Sequence, residues 1–343
     1  MSYKVKIDDF DSDQWRDYAG CFADYSIYQT WPYQENRASM DNQQVSRAVV
    51  TDEPGEVVTM CQVRIKHIRP VGLKVGYIQR GPLVLNFDGK IRCSSTALYA
   101  LRQAYIGSGV DVLKSVPNLC RDVAGEQLTE MFSAAGFERS NSDDAYRTFR
   151  VYVGDGEEQI RGRLRKSFRR DLKKAESSGL EIVRGEDEKL FDILDELYSE
   201  SVRRKKFKGL DSQEFSGPQR SLSDREKMTI IVAYCEGEPA SVVLTSNLGD
   251  TAIVLLAAAN ERGLKCGSSY VTWYEGAIAA MHAGMKWYDL GGVDPDNNPN
   301  VYQFKSRMGG DEVFHTGAFE AHAGAGAKNL WHAAEKIYRV VKR

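Results

Sequence analysis

The chain has 343 residues, a formal net charge of −2 at pH 7, 42% hydrophobic residues and 27% charged residues. This composition is typical of a folded globular protein and excludes a disordered or fibrous chain, and the length predicts two domains. No apolar run approaches the ~18 residues of a membrane span, and the start, MSYKVKIDDFDSDQW, lacks the apolar stretch of a secretory signal. We therefore expect a cytoplasmic protein without an integral membrane segment.

The six cysteines are scattered without C-x-x-C spacing, and none has a histidine near it in a ligand pattern. We therefore expect free thiols and no metal site.

The first 150 residues predict a mixed α+β unit. The segment SRAVVTDEPGEVVTMCQVRIKHI indicates a hairpin that turns at DEPG, and VGYIQRGPLVL indicates a strand with a Gly-Pro kink. A helix is predicted at SSTALYALRQAYIGSG and a strand at VDVLKSV.

The segment GDGEEQIRGRLRKSFRRDLKKAESSG predicts one amphipathic helix. Asp155 is the predicted N-cap, Glu158 its capping-box partner, and Gly179 the stop. Eight of the fourteen residues from Arg161 to Lys174 are basic. Their outward face would attract a phosphate-bearing ligand, and a solvated helix face is the alternative. The apolar residues at helical spacing are Ile160, Leu164, Phe168, Leu172 and Ala175.

The following segments predict a helix at EKLFDILDELYSESVRRKKF and a three-strand antiparallel meander whose turns are EGEP and NLGD. A glycine-containing loop, NERGLKCGSS, then leads into a helix at YVTWYEGAIAAMHAGM and a strand at KWYDL. This order of elements is typical of GNAT-type acyltransferases. The last segment, AGAGAKNLWHAAEKIYRVVKR, predicts a helix that returns to the first domain.

Five segments, taken together and in order, resemble the Fem family of aminoacyltransferases, which build peptidoglycan cross-bridges. The segments are YIQRGPLV, RKSFRRDLKKAESSGLEI, ESVRRKKF, SSYVTWYEGAIAAMHAGMKWYDLGGVDP and VYQFKSRMGG.

The resemblance implies an α+β fold of two tandem GNAT-like domains, each a mixed, mostly antiparallel sheet flanked by helices. The expected domains are residues 1–150 with 320–343, and residues 151–319. The chain has no heptad run, so it is similar to the compact members that lack a coiled-coil arm.

The resemblance also implies an activity, which is transfer of an amino acid from aminoacyl-tRNA to an amine of a peptidoglycan precursor. The expected partners are the aminoacyl-tRNA donor and a nucleotide- or lipid-linked precursor as acceptor, bound in a cleft between the domains. No cofactor and no metal is expected, and peripheral contact with a membrane stays open.

The resemblance implies that two residues take part in the transfer reaction. Lys305, in QFKSRMGG, matches the Phe-Lys position of the family, where the lysine would hold the ester end of the tRNA and the developing oxyanion. Asp294 is a candidate for receiving the proton of the amine, although such a residue often only bonds its own turn.

Acceptor binding is implied for a second group of residues. Arg204, with Phe207 three residues later, matches an Arg-x-x-Phe motif whose arginine contacts the diphosphate of the acceptor. Arg37 lies near the place of a basic family residue, with imperfect spacing. Tyr302 and Phe304 are expected as wall or core residues of this site.

The backbone of the tRNA is expected to bind the basic helix. The residues proposed for this contact are Arg161, Arg165, Arg169 and Lys173.

Two other functions stay open at this point. One is an acyl-CoA-dependent N-acyltransferase acting on a sugar amine or a natural-product peptide. Its pyrophosphate loop would be RGLKCG, where Arg262 and Gly267 fit but Lys265 replaces a glycine. The other is a non-catalytic protein that binds tRNA or a nucleotide sugar.

Overall fold

Two compact units make up the protein. The computed structural model describes residues 2–140, 145–205 and 209–342. Unit 1 comprises Met1–Tyr146 and Phe314–Arg343, and unit 2 comprises Arg147–Val313.

The strands and helices are numbered along the whole chain. The strands are β1 (Lys4–Ile7), β2 (Gln44–Thr51), β3 (Val57–Ile68), β4 (Leu73–Gln79), β5 (Val112–Val116), β6 (Glu138–Arg139), β7 (Arg147–Tyr152), β8 (Glu181–Gly185), β9 (Thr229–Cys235), β10 (Glu238–Leu248), β11 (Thr251–Ala259), β12 (Trp287–Asp289), β13 (Asp311–Phe314) and β14 (Phe319–His322). The helices are α1 (Ser12–Ala19), α2 (Trp31–Asp41), α3 (Ser95–Gly107), α4 (Val123–Ala134), α5 (Glu157–Arg163), α6 (Lys166–Glu176), α7 (Glu188–Lys205), α8 (Gln213–Gln219), α9 (Glu261–Cys266), α10 (Ser268–His282), α11 (Pro299–Ser306) and α12 (Ala325–Lys342).

Unit 1 contains a seven-stranded sheet in the order β1-β2-β3-β4-β5-β14-β6. Its pairs are antiparallel except β4 and β5, which run parallel. The predicted hairpin is present as β2 and β3. Strand β14, from the end of the chain, lies between β5 and β6, and α12 contacts both β5 and β14.

The two faces of this sheet bury different partners, because alternate residues of a strand point to opposite faces. Phe319 and Ala321 of β14 belong to the main core with α3 and α4. On the other face, Val112 of β5 packs with Trp331 of α12. Glu320 therefore points to the face that α12 covers.

Unit 2 contains a second seven-stranded sheet in the order β13-β7-β12-β11-β10-β9-β8. The predicted meander is present as β9, β10 and β11, and β11 runs parallel to β12. Helices α6 and α10 pack together, burying Phe168 and Leu172 beside Tyr274 and Ala277. The α+β prediction of mixed, mostly antiparallel sheets flanked by helices is confirmed.

The predicted single basic helix is two helices, α5 and α6. Leu164 has φ −54° and ψ 135°, which ends α5, and the backbone N–H of Arg165 donates to the Arg307 carbonyl at 3.0 Å. The predicted cap is also wrong, because Gly156, with φ 106°, occupies the N-cap and makes no side-chain capping bond. The Asp155 carboxylate instead pairs with Arg163.

Within the described part of the chain, no helix is both long and apolar enough to cross a lipid bilayer.

Candidate active site

Strands β11 and β12 separate soon after they pair. Their register runs only from Thr251↔Trp287 to Ile253↔Asp289, while β11 continues to Ala259. Beyond Ile253, the edge of β11 that faced β12 is no longer paired with it, and we call this unpaired stretch the gap between β11 and β12. Gly291 has φ +75°, a backbone conformation that favours glycine, and a Cβ there would lie only 2.9 Å from the Val254 carbonyl oxygen. A glycine therefore allows the chain to turn close to β11 after β12 ends.

Lys305 is fixed where β12 ends. It lies on α11 and is buried, and its Nζ donates to the carbonyl oxygens of Gly291 at 3.1 Å and Gly292 at 2.9 Å. The Nζ also lies 5.3 Å from the centre of the Trp273 ring, a cation–π contact. An ammonium has three donors, so one N–H has no hydrogen-bond acceptor among the residues that the structure describes. That N–H can serve a bound substrate.

Burial and a nearby carboxylate have opposite effects on the pKa of Lys305. Burial lowers the pKa of Lys305 to about 8, and Asp289 opposes this shift. Asp289 is itself buried, and its Oδ1 accepts from Thr148 Oγ1 at 2.5 Å and from the Gly291 N–H at 2.8 Å. The sequence placed Asp289 at a strand end without a role. The sequence signal that could have indicated a role is an acidic residue at the end of an apolar strand, just before two glycines.

The lowered pKa predicts a stability that rises with pH. The unfolded chain binds the Lys305 proton up to its ordinary pKa of 10.5, whereas the folded chain releases it near pH 8. The free energy of unfolding should therefore be flat below about pH 8 and rise by up to about 3 kcal/mol toward pH 10.5. Urea unfolding at pH 7 and pH 10 measures this rise. A Lys305→Met variant with the same rise as wild type would contradict it.

Aromatic residues hold α11 in place. Phe304 contacts the rings of Phe168, Tyr270 and Trp273, with centroids 5.2–5.5 Å away. The Tyr302 hydroxyl donates to Glu312 Oε2 at 3.1 Å, and its ring packs on Phe149. Both residues pack as part of the unit 2 core, as expected for wall or core positions. Their contact with an acceptor stays a prediction.

Asp294 is exposed and bonds its own loop. Its carboxylate accepts from the backbone N–H groups of Asp296 and Asn297, and from the Asn297 side chain at 2.7 Å. These bonds lower the pKa of Asp294. A carboxylate so stabilised is a weaker base, so the geometry favours the turn-forming role that the sequence left open.

The predicted phosphate-binding residues lie in both units. Arg204, on α7, donates through one terminal nitrogen to the Ala259 carbonyl at 2.6 Å, and its other terminal nitrogen lies 3.8 Å from Glu200. Arg37 lies on α2 in unit 1 and pairs with Asp41 at 3.2 Å. Phe207 lies outside the described residues. Arg204 lies at the end of β11, six residues beyond Ile253, the last β11 residue paired with β12.

The basic residues divide between α5 and α6. Arg161 donates to both oxygens of Glu176 and to the Tyr274 hydroxyl, so its guanidinium is committed within unit 2. Arg165, Arg169 and Lys173 are exposed along α6. The Arg161 side chain is still 40% exposed, so all four residues reach the surface, and their contact with tRNA stays a prediction.

The segment RGLKCG, predicted as a loop, contains the short helix α9. The Gly263 N–H is bonded to Asn260 Oδ1 at 2.9 Å, and a Cβ on Gly263 would lie 2.1 Å from the Ala240 carbonyl oxygen. Arg262 donates to Glu236 at 3.1 Å. Arg262, which fits the predicted pyrophosphate loop, is thus already paired with Glu236, and Gly267 is the C-cap of α9.

Comparisons with known proteins match this architecture. A family model described as an Acetyltransferase (GNAT) domain matches residues 162–306. The structure of FemX is similar, with a TM-score of 0.82 and 14% identity, over 96% of this chain and 100% of that chain. No curated protein sequence matches the chain.

Two further solved structures have related folds. One is the C-terminal domain of a putative lysylphosphatidylglycerol synthetase from Agrobacterium fabrum, with a TM-score of 0.55 and 11% identity over 95% of both chains. The other is a tandem GNAT protein from the clavulanic acid biosynthesis pathway, with a TM-score of 0.50 and 12% identity over 94% of this chain and 99% of that chain.

The class that these comparisons define is a fold: two α+β units like those of tandem GNAT proteins, with the Acetyltransferase (GNAT) domain model matching within residues 162–306. The particular fold that it shares over nearly its whole length is that of FemX. The resemblance to the Fem family is therefore confirmed for the fold.

Proposed function

We propose that this protein is a cytoplasmic aminoacyltransferase that moves an amino acid from aminoacyl-tRNA to an amine of a peptidoglycan precursor. The observation that carries the proposal is the position of Lys305, at the Phe-Lys position of the Fem-like motif and beside the gap between β11 and β12. The likeness to FemX over the whole chain supports it.

The chemistry needs placement and charge stabilisation more than a nucleophilic side chain. The neutral amine attacks the ester carbonyl, a C–N bond forms, the bond to the ribose oxygen breaks, and the amine's proton ends on that oxygen. The remaining N–H of Lys305 would donate to the oxyanion in a buried site, where such a bond is strong. The acceptor's own carboxylate is our choice for relaying the proton, since Asp294 is tied to its loop.

Donor selectivity is supported by α9. Arg262 already pairs with Glu236, and Lys265 replaces a glycine of the pyrophosphate loop, so this segment favours an ester-linked donor over acyl-CoA. The rival N-acyltransferase retains the support of the GNAT family model.

The test of the proposed function is a comparison of donors. The full chain is incubated with a cell-wall precursor extract and either labelled aminoacyl-tRNA or labelled acetyl-CoA. We expect label in the precursor only from the tRNA, and its loss when ribonuclease is added first. Label that moves only from acetyl-CoA would contradict the proposal and support the rival acyltransferase.

Exposed α6 residues are proposed to contact the tRNA backbone. Replacing Arg169 and Lys173 together by alanine should weaken tRNA binding and reduce the slope of log affinity against log salt by about 0.7–0.9 for each lost phosphate contact. Filter binding at several salt concentrations measures this slope. The control replaces Lys189 and Lys265, two exposed lysines elsewhere in unit 2. Equal slopes for both double variants would remove α6 from the tRNA site.

A further inference from the structure

A carboxylate and two imidazoles meet on the face of the unit 1 sheet that α12 covers. Glu320 and His322 are two residues apart on β14, so both side chains point to this face. His332 reaches the same place from α12, one residue after Trp331. One ligand atom from each of Glu320, His322 and His332 lies within 4.8 Å of the others.

The distances between these atoms suit a bound metal ion. Glu320 Oε2 lies 3.6 Å from His322 Nε2 and 3.8 Å from His332 Nε2. Both distances are too long for good hydrogen bonds. Two ligand atoms about 2.1 Å from a tetrahedral zinc ion lie about 3.4 Å apart. The two pairs with Glu320 are therefore only slightly wider than zinc requires, and the half-exposed His332 can turn to close the site.

His322 supplies an independent sign of a missing partner. Its side chain is only 7% exposed, yet its Nε2 has no hydrogen-bond partner among the described residues. A buried polar nitrogen without a partner is costly in a native protein. Here that nitrogen lies 3.6 Å from a carboxylate oxygen, in the group of three ligand atoms described above.

Surrounding residues hold the carboxylate in one orientation. Glu320 Oε1 accepts from Ser140 Oγ at 2.5 Å and lies 3.5 Å from Lys114 Nζ, and Oε2 accepts from Trp331 Nε1 at 3.2 Å. Such supporting bonds are usual around metal-binding carboxylates. Lys114 is shared between Glu320 and Glu335, so this one cation faces two carboxylates.

We propose that Glu320, His322 and His332 bind a divalent transition-metal ion of the zinc type, which fastens α12 to β14. Two imidazoles with one carboxylate suit zinc and its neighbours, whereas calcium and magnesium prefer oxygen ligands. The half-exposed side of His332 leaves the fourth position to water. The proposal departs from the sequence expectation of no metal, which rested on the spacing of cysteines and histidines and on the resemblance to the Fem family.

The test titrates Zn²⁺ into the full chain after chelation and dialysis, against a chromophoric competitor. We expect one tight Zn²⁺ per chain and a melting temperature that rises with Zn²⁺. The variant H332A should weaken binding at least about 100-fold, since even supporting residues contribute 10- to 100-fold. Its half-exposed position lets the variant fold. H322Q should weaken binding in the same way.

Control experiments distinguish this site from a zinc site formed by cysteine thiols. Cys235 and Cys266 lie close together in unit 2 and are the rival zinc ligands, so C266S should leave binding unchanged. With Co²⁺ as the probe, a thiolate charge-transfer band in the near ultraviolet would overturn the proposal. Zn²⁺ binding that survives H332A would also overturn the proposal, as would the absence of Zn²⁺ binding to the wild-type chain.

Discussion

Lys305→Ala is expected to lower the rate constant of aminoacyl transfer by about 100- to 1000-fold, the loss that follows removal of one oxyanion donor. The expected loss is in kcat, because the remaining N–H of Lys305 would be used most strongly in the transition state. Single-turnover transfer from labelled aminoacyl-tRNA measures it. Spontaneous hydrolysis of the ester, followed without acceptor, is subtracted.

Two variants separate chemistry from folding. Lys305→Met keeps the length of the side chain and removes only its charge and donors, so it should lose the same activity as the alanine variant. Lys265→Ala removes an exposed lysine of unit 2 and should transfer at the wild-type rate. Full activity of Lys305→Met would show that the reaction needs neither the charge nor the N–H donors of Lys305, which would contradict its catalytic role.

Gly309→Ala is expected to give a large loss of stability. Gly309 has φ +82°, and a Cβ there would lie 2.2 Å from the carbonyl oxygen of Arg163. A left-handed alanine costs about 1–2 kcal/mol and an overpacked contact about 1–3 kcal/mol, so the sum is about 2–5 kcal/mol. Urea denaturation followed by tryptophan fluorescence measures the shift.

Matched glycines separate the two causes. Gly284 has φ +76° with no atom within 4 Å of a built Cβ, so Gly284→Ala should lose only the conformational part, about 1–2 kcal/mol. Gly162→Ala, without a positive φ or a contact, should be neutral or slightly stabilising. If Gly309→Ala lowered the free energy of unfolding no more than Gly284→Ala does, the predicted steric clash with the Arg163 carbonyl would be contradicted.

Local sequence signals predicted most of the secondary structure. The DEPG turn predicted the β2–β3 hairpin, and EGEP with NLGD predicted the meander, because each turn interrupts runs of β-branched residues. The signal failed at Leu164, where the break between α5 and α6 lies inside an unbroken apolar spacing from Ile160 to Phe168. Periodicity indicates which residues are buried, and Leu164 is buried whether the segment forms one helix or two.

The site was predictable only in part for a similar reason. Lys305 was found through a short motif, but its helix was not predicted, and its contacts with Trp273 and the Gly291 carbonyl join residues far apart in sequence. Arg161 was assigned to an outward surface, but its bonds to Glu176 and to Tyr274, 113 residues away, could not be predicted from helical spacing. The cluster around Glu320 was not foreseen, because β14 and α12 place its ligands together.

The most direct measurement is the mass of the product that the protein makes from aminoacyl-tRNA and a nucleotide-linked peptidoglycan precursor. We predict a precursor heavier by one amino-acid residue, in a bond that survives mild base as an amide does and an ester does not. The product should be absent after ribonuclease treatment and strongly reduced with Lys305→Ala. A base-labile product, or an unchanged precursor beside an acetylated one when acetyl-CoA is supplied, would contradict the proposed function.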